Sequence, residues 1–208
     1  MDLFDEIAAE RRGLADMLSG LTEAQRTTSS LCSEWTVQDV VGHLIVPLEV
    51  GVPRFGLAIV RALGNFDTAN SRLARRQAQR PFDEIIDVLR RKADKRFTPP
   101  GMGPEAPLTD LLVHGLDIRW PLGLNREIPQ DRMRTALQFV ANAGAGNVVA
   151  KGVLDGLRFE ATDLDWAHGT GRSVSGQSDA VLLAMAGRPA ALEQLDGEGV
   201  ETLATRLA

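Results

Sequence analysis

Hydrophobic positions recur at helical intervals over roughly the first 150 residues and alternate beyond them. Leu3, Ile7, Leu14, Met17 and Leu18 share one face and Gly20 follows, which predicts an amphipathic helix over 3–20. Residues 22–34 read as a connection, with Leu21, Leu31 and Cys32 as apolar plugs. Thr36 with Asp39 three positions on has the form of a capping box, Asp standing where Glu or Gln is usual. A second helix is therefore predicted from Val37 towards Leu63, kinked at Pro47 or Pro53. Its stretch 50–59 carries few charges and either lines a cavity or packs in the core. Residues 67–97 form a charged helical region divided at Pro81. Pro107 then opens an unusually apolar helix, with Leu108, Leu111, Leu112, Leu116 and Ile118 at helical spacing, closed by Pro121 and Gly123. A fifth helix is predicted over 131–151, with Met133, Leu137, Val140 and Val148 inward and a small-residue middle, 141–147, suited to close packing.

After Gly152 the period changes. Residues 157–162 alternate as a strand does, 164–166 suggest a second strand, and 172–176 a third. Ser178 or Asp179 would cap an apolar helix over 180–186 that stops at Gly187, and 189–195 and 200–207 complete a small α/β unit. The expected fold is α+β and mostly α. An up-and-down bundle of four helices plus a fifth occupies 1–151, and a small α/β domain occupies 152–208. Bundles of this kind build ligand sites from facing helices, here bringing His43 and His114 to one inner wall.

Composition narrows the function classes. The chain has 208 residues, 44% hydrophobic and 25% charged, enough to bury a sizeable core. A net charge of -5 argues against general affinity for nucleic acid. The longest apolar stretch, 40–63, is interrupted by His43, Pro47, Glu49, Pro53 and Arg54, so no membrane span is expected. The start, Met1-Asp-Leu-Phe-Asp-Glu6, is acidic where a secretory leader is basic. Cys32 is the only cysteine, which suits a reducing cytoplasm, and with no histidine beside it in sequence an inert buried thiol is expected. Arg72, Arg75, Arg76 and Arg80 form a basic cluster, read as a solvated helix face because Asp83, Glu84 and Asp87 follow.

The chemistry concentrates on few residues. Asp110, His114 and Asp117 lie at i, i+4 and i+7 on an otherwise apolar helix, so they point from nearly one face. Polar groups on an inward face require a partner, a hydrogen bond or a metal. A histidine beside a carboxylate is often only a structural pair, and a metal needs a third ligand from elsewhere. Of three histidines, His43 sits two turns inside its predicted helix, whereas His168 in Trp166-Ala-His-Gly-Thr-Gly171 reads as an exposed loop or strand-end residue.

Trp35-Thr-x-x-Asp-x-x-x-His43 followed by Asp110-x-x-x-His114-x-x-Asp117 resembles the mycothiol-dependent maleylpyruvate isomerase family of the DinB-like metalloprotein superfamily. The run Arg158-Phe-Glu-Ala-Thr-Asp-Leu-Asp-Trp166, then Val174-Ser-Gly176 and Leu182-Leu-Ala-Met-Ala-Gly-Arg188, is similar to that family's second domain. The resemblance implies a DinB-like bundle holding zinc or another divalent metal through His43, Asp110 and His114. Asp110 departs from the family's Glu by one methylene, so it would reach the metal less well, through water, or from a shifted helix. Asp117 would then either substitute as ligand or orient a histidine ring.

The function implied is a mycothiol-dependent isomerase or S-transferase in which the metal activates the cofactor's thiol. The thiolate would add to a conjugated cis double bond and leave after rotation, or remain on an electrophile. A zinc-dependent hydrolase and a non-catalytic metal-binding or stress-response protein are the competing classes. The expected partners are mycothiol and a small electrophile or unsaturated carboxylate, with a monomer or homodimer in the cytoplasm. A carboxylate substrate wants an arginine, and Arg188 between Gly187 and Pro189 is the first candidate, ahead of Arg119 and Arg172. An arginine at a helix end also complements the macrodipole without any substrate.

Overall fold

The computed structural model describes residues 2–32, 35–142 and 151–208 of the chain. Its contacts divide into two compact units, Met1–Pro107 with Asp117–Asn125, and Leu108–Leu116 with Arg126–Ala208. The architecture is α+β and mostly α, as the periodicities predict.

In the first unit, α1 (Leu3–Ser19) starts on Asp2, whose carboxylate accepts from the Phe4 N–H, and buries Ile7, Leu14 and Leu18. Helix α3 (Val37–Glu49) starts at the expected capping box and buries Val37, Val40, Val41, Leu44, Ile45, Val46 and Leu48. It packs on α5 (Phe66–Ala78) and α6 (Phe82–Arg91), and α6 also packs on α1. The approach of α3 to α5 is close because Gly42 faces Ala74 and Ala78; an added Cβ at Gly42 would lie 2.5 Å from the Ala74 carbonyl oxygen. Arg11, 3% exposed, donates to the carbonyls of Ala93 and Lys95 at 2.8 Å each, so α1 closes the exit of α6.

The long kinked second helix is in fact two. α3 ends at Glu49 with Val50 as its cap, and α4 (Val52–Arg61) begins after Gly51 with Pro53 in its first turn. Proline is well suited to that first turn, where its missing N–H has no partner to lose, so Pro53 starts a helix rather than bending one. The apolar stretch 50–59 is not core: α4 packs on α5, and Leu57 and Val60 are exposed. A short α2 (Glu23–Thr27), with its own Thr22/Gln25 capping box, interrupts the expected connection. The basic cluster is a solvated face as predicted: Arg72, Arg75 and Arg76 are exposed, and Arg80 lies 3.6 Å from both Glu49 and Glu84.

Helix α7 (Glu105–Leu122) begins two residues before Pro107 and ends at Gly123, which takes the left-handed φ of 63° expected of a glycine cap. It is buried on most of its circumference, Leu108, Thr109, Leu112, Asp117, Ile118 and Arg119 included. Pro121 brings no N–H to the carbonyl of Asp117, four residues earlier. That carbonyl accepts instead from the N–H of Leu31 at 3.1 Å, which ties the loop before α3 to α7.

In the second unit, α8 (Gln130–Asn142) buries Met133, Ala136, Leu137 and Val140 and packs on α9 (Ser178–Met185) and on the strand β2 (Trp166–Gly169). The predicted extension of this helix through 143–150, with its small-residue middle, lies outside the described residues. Lys151 itself is in a turn. Strands β1 (Leu157–Ala161), β2 (Trp166–Gly169), β3 (Arg172–Gly176) and β4 (Leu195–Asp196) form one sheet of order β2-β1-β3-β4. β1 pairs antiparallel with β2 and parallel with β3, and β3 pairs antiparallel with β4. The second strand thus begins at Trp166, where 164–166 had suggested it would already have run its course. α9 starts at Ser178 because Asp163 accepts from both its N–H (2.7 Å) and its hydroxyl (2.9 Å). A 3-10 turn, Pro189–Gln194, and α10 (Val200–Leu207) finish the unit.

Candidate metal centre

His43 is positioned from the start of α3. Thr36 and Asp39 exchange the two bonds of the capping box, Asp39 N to Thr36 Oγ1 at 3.2 Å and Thr36 N to Asp39 Oδ2 at 3.0 Å. The preceding segment is held by a bridge between Ser29 and Thr36 and by the Val37 N–H on the Thr28 carbonyl at 2.9 Å. This places the Trp35 indole against the His43 imidazole, ring centres 5.3 Å apart, while Trp35 Nε1 donates to Ser71 on α5 at 3.3 Å. Gly42, the residue before His43, allows the close α3–α5 contact. The His43 ring is thus set by a cap, an aromatic neighbour and a tight helix crossing.

On α7 the i, i+4 spacing brings Asp110 Oδ1 to 3.5 Å from His114 Nε2. His114 is nearly enclosed, with 12% of its side chain exposed, and Asp110 is more open at 40%. His43, Asp110 and His114 each present a ligand atom, and the three atoms lie within 4.8 Å of one another. A second group, Cys32, His114 and Asp117, meets the same limit and shares His114. Asp117 is fully buried one turn along α7 from His114.

The donor set fits a divalent ion. Ligands at about 2.1 Å in a tetrahedron stand roughly 3.4 Å apart, and Asp110 and His114 already have nearly that separation. Two imidazoles with one carboxylate is the set of catalytic zinc sites, which leave a coordination position open. The short side chain of Asp110 comes within a ligand's distance of His114 without help from Asp117.

The other candidate residues lie as follows. Arg188 follows Gly187 (φ 85°) after α9, and its guanidinium donates to the Ala186 carbonyl at that helix's end. Arg119 is 7% exposed, and Arg172 is exposed and donates to Thr202 at 3.1 Å. His168 is half-buried rather than exposed, stacked on Trp166 with ring centres 6.2 Å apart. Cys32 is half-buried rather than buried as expected, and its ligand atom lies within 4.8 Å of those of His114 and Asp117.

A mostly α chain with a small sheet, carrying His43, Asp110 and His114 as a possible metal-holding group, defines an α+β protein with a candidate metal site. Residues 7–98 match the family model described as the mycothiol maleylpyruvate isomerase N-terminal domain. The match includes Cys32 and His43 and stops before Asp110 and His114. Two solved structures are similar in fold: crystal structures of the mycothiol-dependent maleylpyruvate isomerase and of a histidine-to-alanine variant of it. They give TM-scores of 0.54 and 0.55 at 15% identity, and each comparison covers 95% of this chain and 96% of the other. A search of curated proteins yields no match.

Proposed function

We propose that this chain is a mycothiol-dependent isomerase or S-transferase whose divalent metal is held by His43, Asp110 and His114. The observation that carries the reading is the convergence of their three ligand atoms within 4.8 Å. The N-terminal family match and the fold shared with the mycothiol-dependent maleylpyruvate isomerase support the choice of thiol chemistry over hydrolysis. A zinc-like ion bound there supplies a Lewis acid that keeps a thiol ionised near neutral pH.

The chain's own residues account for the rest. His43 and His114, both half-buried, would act as neutral ligands. Asp110 adds one negative charge, so the three ligands leave a divalent site with net positive charge that favours an anionic fourth ligand such as a thiolate. Asp117, buried and grouped with His114, orients that imidazole. Arg188 is the proposed anchor of a substrate carboxylate, a role it would take by exchanging the Ala186 carbonyl for the carboxylate. The substrate is a small electrophile or unsaturated carboxylate, and turnover requires mycothiol.

Titration of the zinc-loaded protein with mycothiol tests this reading. Saturable binding of one thiol per chain, with release of one proton and loss in the His114→Ala protein, is expected. Binding that is equal with and without metal would refute it.

A further inference from the structure

We propose that the turn joining α4 to α5 is a docking surface for an anionic lipid bilayer, with Leu63 as the side chain that enters it. The surface lies wholly within the first unit and is independent of the metal reading.

Four large apolar side chains are exposed among the described residues, and all fall between Leu57 and Phe66. Leu57 is 47% exposed, Val60 71%, Leu63 97% and Phe66 55%. Exposed apolar residues scattered singly are ordinary, but gathered in one place they mark an interaction site. The other face of α4 is already used. Phe55 and Ile59 are half-buried and Ala62 is buried on the side that packs on α5, where the Phe55 and Phe66 rings lie 5.5 Å apart. Leu57 and Val60 therefore have no role in that packing.

Backbone strain singles out Leu63. It is the only non-glycine residue with a positive φ among the described residues, at 55°. That region suits glycine or asparagine and is costly for leucine. The turn is firmly made: the Leu63 N–H donates to the Val60 carbonyl at 3.1 Å, and the N–H groups of Gly64 and Asn65 donate to Ile59 and Ala62, both at 3.0 Å. Asn65 then caps α5 by accepting from the Thr68 N–H at 2.8 Å. Strain and full exposure thus fall on the same leucine, at a position where asparagine would serve the turn better.

Charge chooses the occupant. Between Val50 and Arg76 the ionisable side chains are Arg54, Arg61, Arg72, Arg75 and Arg76 against Asp67 alone, in a chain of net charge -5. Arg54 and Arg61 are exposed at i and i+7 on α4, on the same side as Leu57. Arg72 donates to the Arg61 carbonyl at 3.5 Å, which sets it at the same rim. A second copy of the chain docked by two-fold symmetry would press this arginine rim against itself. An anionic bilayer meets it with opposite charge, and the apolar layer beneath the headgroups receives a protruding leucine without any preformed groove.

Co-sedimentation with sucrose-loaded vesicles tests the proposal. The native protein is expected to bind vesicles of equal parts phosphatidylglycerol and phosphatidylcholine, to bind phosphatidylcholine alone at least about tenfold less, and to be released by high salt. Leu63→Asn, which suits the left-handed turn, should keep the melting temperature and weaken binding about tenfold. Arg61→Gln and Arg72→Gln should each weaken it about fivefold, and Arg134→Gln, on α8, should leave it unchanged. No binding to the mixed vesicles, equal binding to the neutral ones, or binding unchanged in Leu63→Asn would overturn the proposal. A dimer that forms in place of vesicle binding and is lost in Leu63→Asn would assign the face to a second copy and overturn it too. Absence of both vesicle binding and self-association would leave the face to an acidic protein partner, which also overturns the bilayer assignment.

Discussion

Replacing Gly42 by alanine tests whether the α3–α5 crossing sets the position of His43. An added Cβ would stand 2.5 Å from Ala74 O, 2.8 Å from Ala78 N and 3.0 Å from Ala78 Cβ. Two of the three obstacles are backbone, so no side chain can swing away. Bringing the closest contact from 2.5 Å to an ordinary 3.4 Å requires the helices to part by up to about 0.9 Å. Overpacking of this kind costs about 2–3 kcal/mol, and the better helix propensity of alanine returns about 1 kcal/mol. The net loss of about 1–2 kcal/mol corresponds to a melting temperature lower by about 2–8 °C in a chain of this size. Gly13 is the control: it lies inside α1, is exposed, and an added Cβ meets nothing within 4 Å. Gly13→Ala should raise stability by about 0.5–1 kcal/mol. Thermal unfolding of the two variants beside the native protein should therefore give shifts of opposite sign. Gly42→Ala should also bind metal less well, because His43 is the adjacent residue. A Gly42→Ala protein as stable as Gly13→Ala would refute the crossing as described.

Three further outcomes follow from the same geometry. Arg11→Met should destabilise by about 2–4 kcal/mol in urea unfolding, because the carbonyls of Ala93 and Lys95 lose a buried charged donor; a loss under about 0.5 kcal/mol would contradict that role. The Lys92 ammonium bonded to Glu49 holds that carboxyl below its ordinary 4.5, so its contribution is present above pH 4.5 and lost as pH falls through the lowered value. The melting-temperature gap between native protein and Glu49→Gln should accordingly be constant from pH 7 to about 5 and shrink on further acidification; a gap unchanged at pH 3 would contradict it. Arg188→Ala should lose turnover of a carboxylate substrate by about tenfold or more while retaining metal, and Arg188→Lys should recover part; unchanged turnover would remove Arg188 from the site.

Much of this architecture is legible in the sequence because local signals and tertiary burial agree. The Thr36/Asp39 capping box, the apolar run around His114 and the Gly123 stop each identify their helix from a few neighbouring residues. The alternation at 157–162 marks the sheet for the same reason. Where the reading failed, distant residues decide. Pro53 can bend a helix or begin one, and only the packing of α4 on α5 chooses the second. Met133, Leu137 and Val140 declare an apolar face but not its partner, which is α9 and β2. The spacing of Asp110 and His114 left the third ligand open, and the set His43, Asp110 and His114 came from the family resemblance; the structure groups the same three residues.

Metal content of the untagged protein tests the central claim most directly. With zinc in the growth medium, the native chain should retain close to one equivalent after dialysis. His43→Ala and His114→Ala should each lose it, with unfolding transitions still cooperative, and Asp110→Asn should retain a smaller fraction. Equal metal in all four proteins, or none in the native chain after zinc loading, would contradict the assignment of His43, Asp110 and His114 as the ligands.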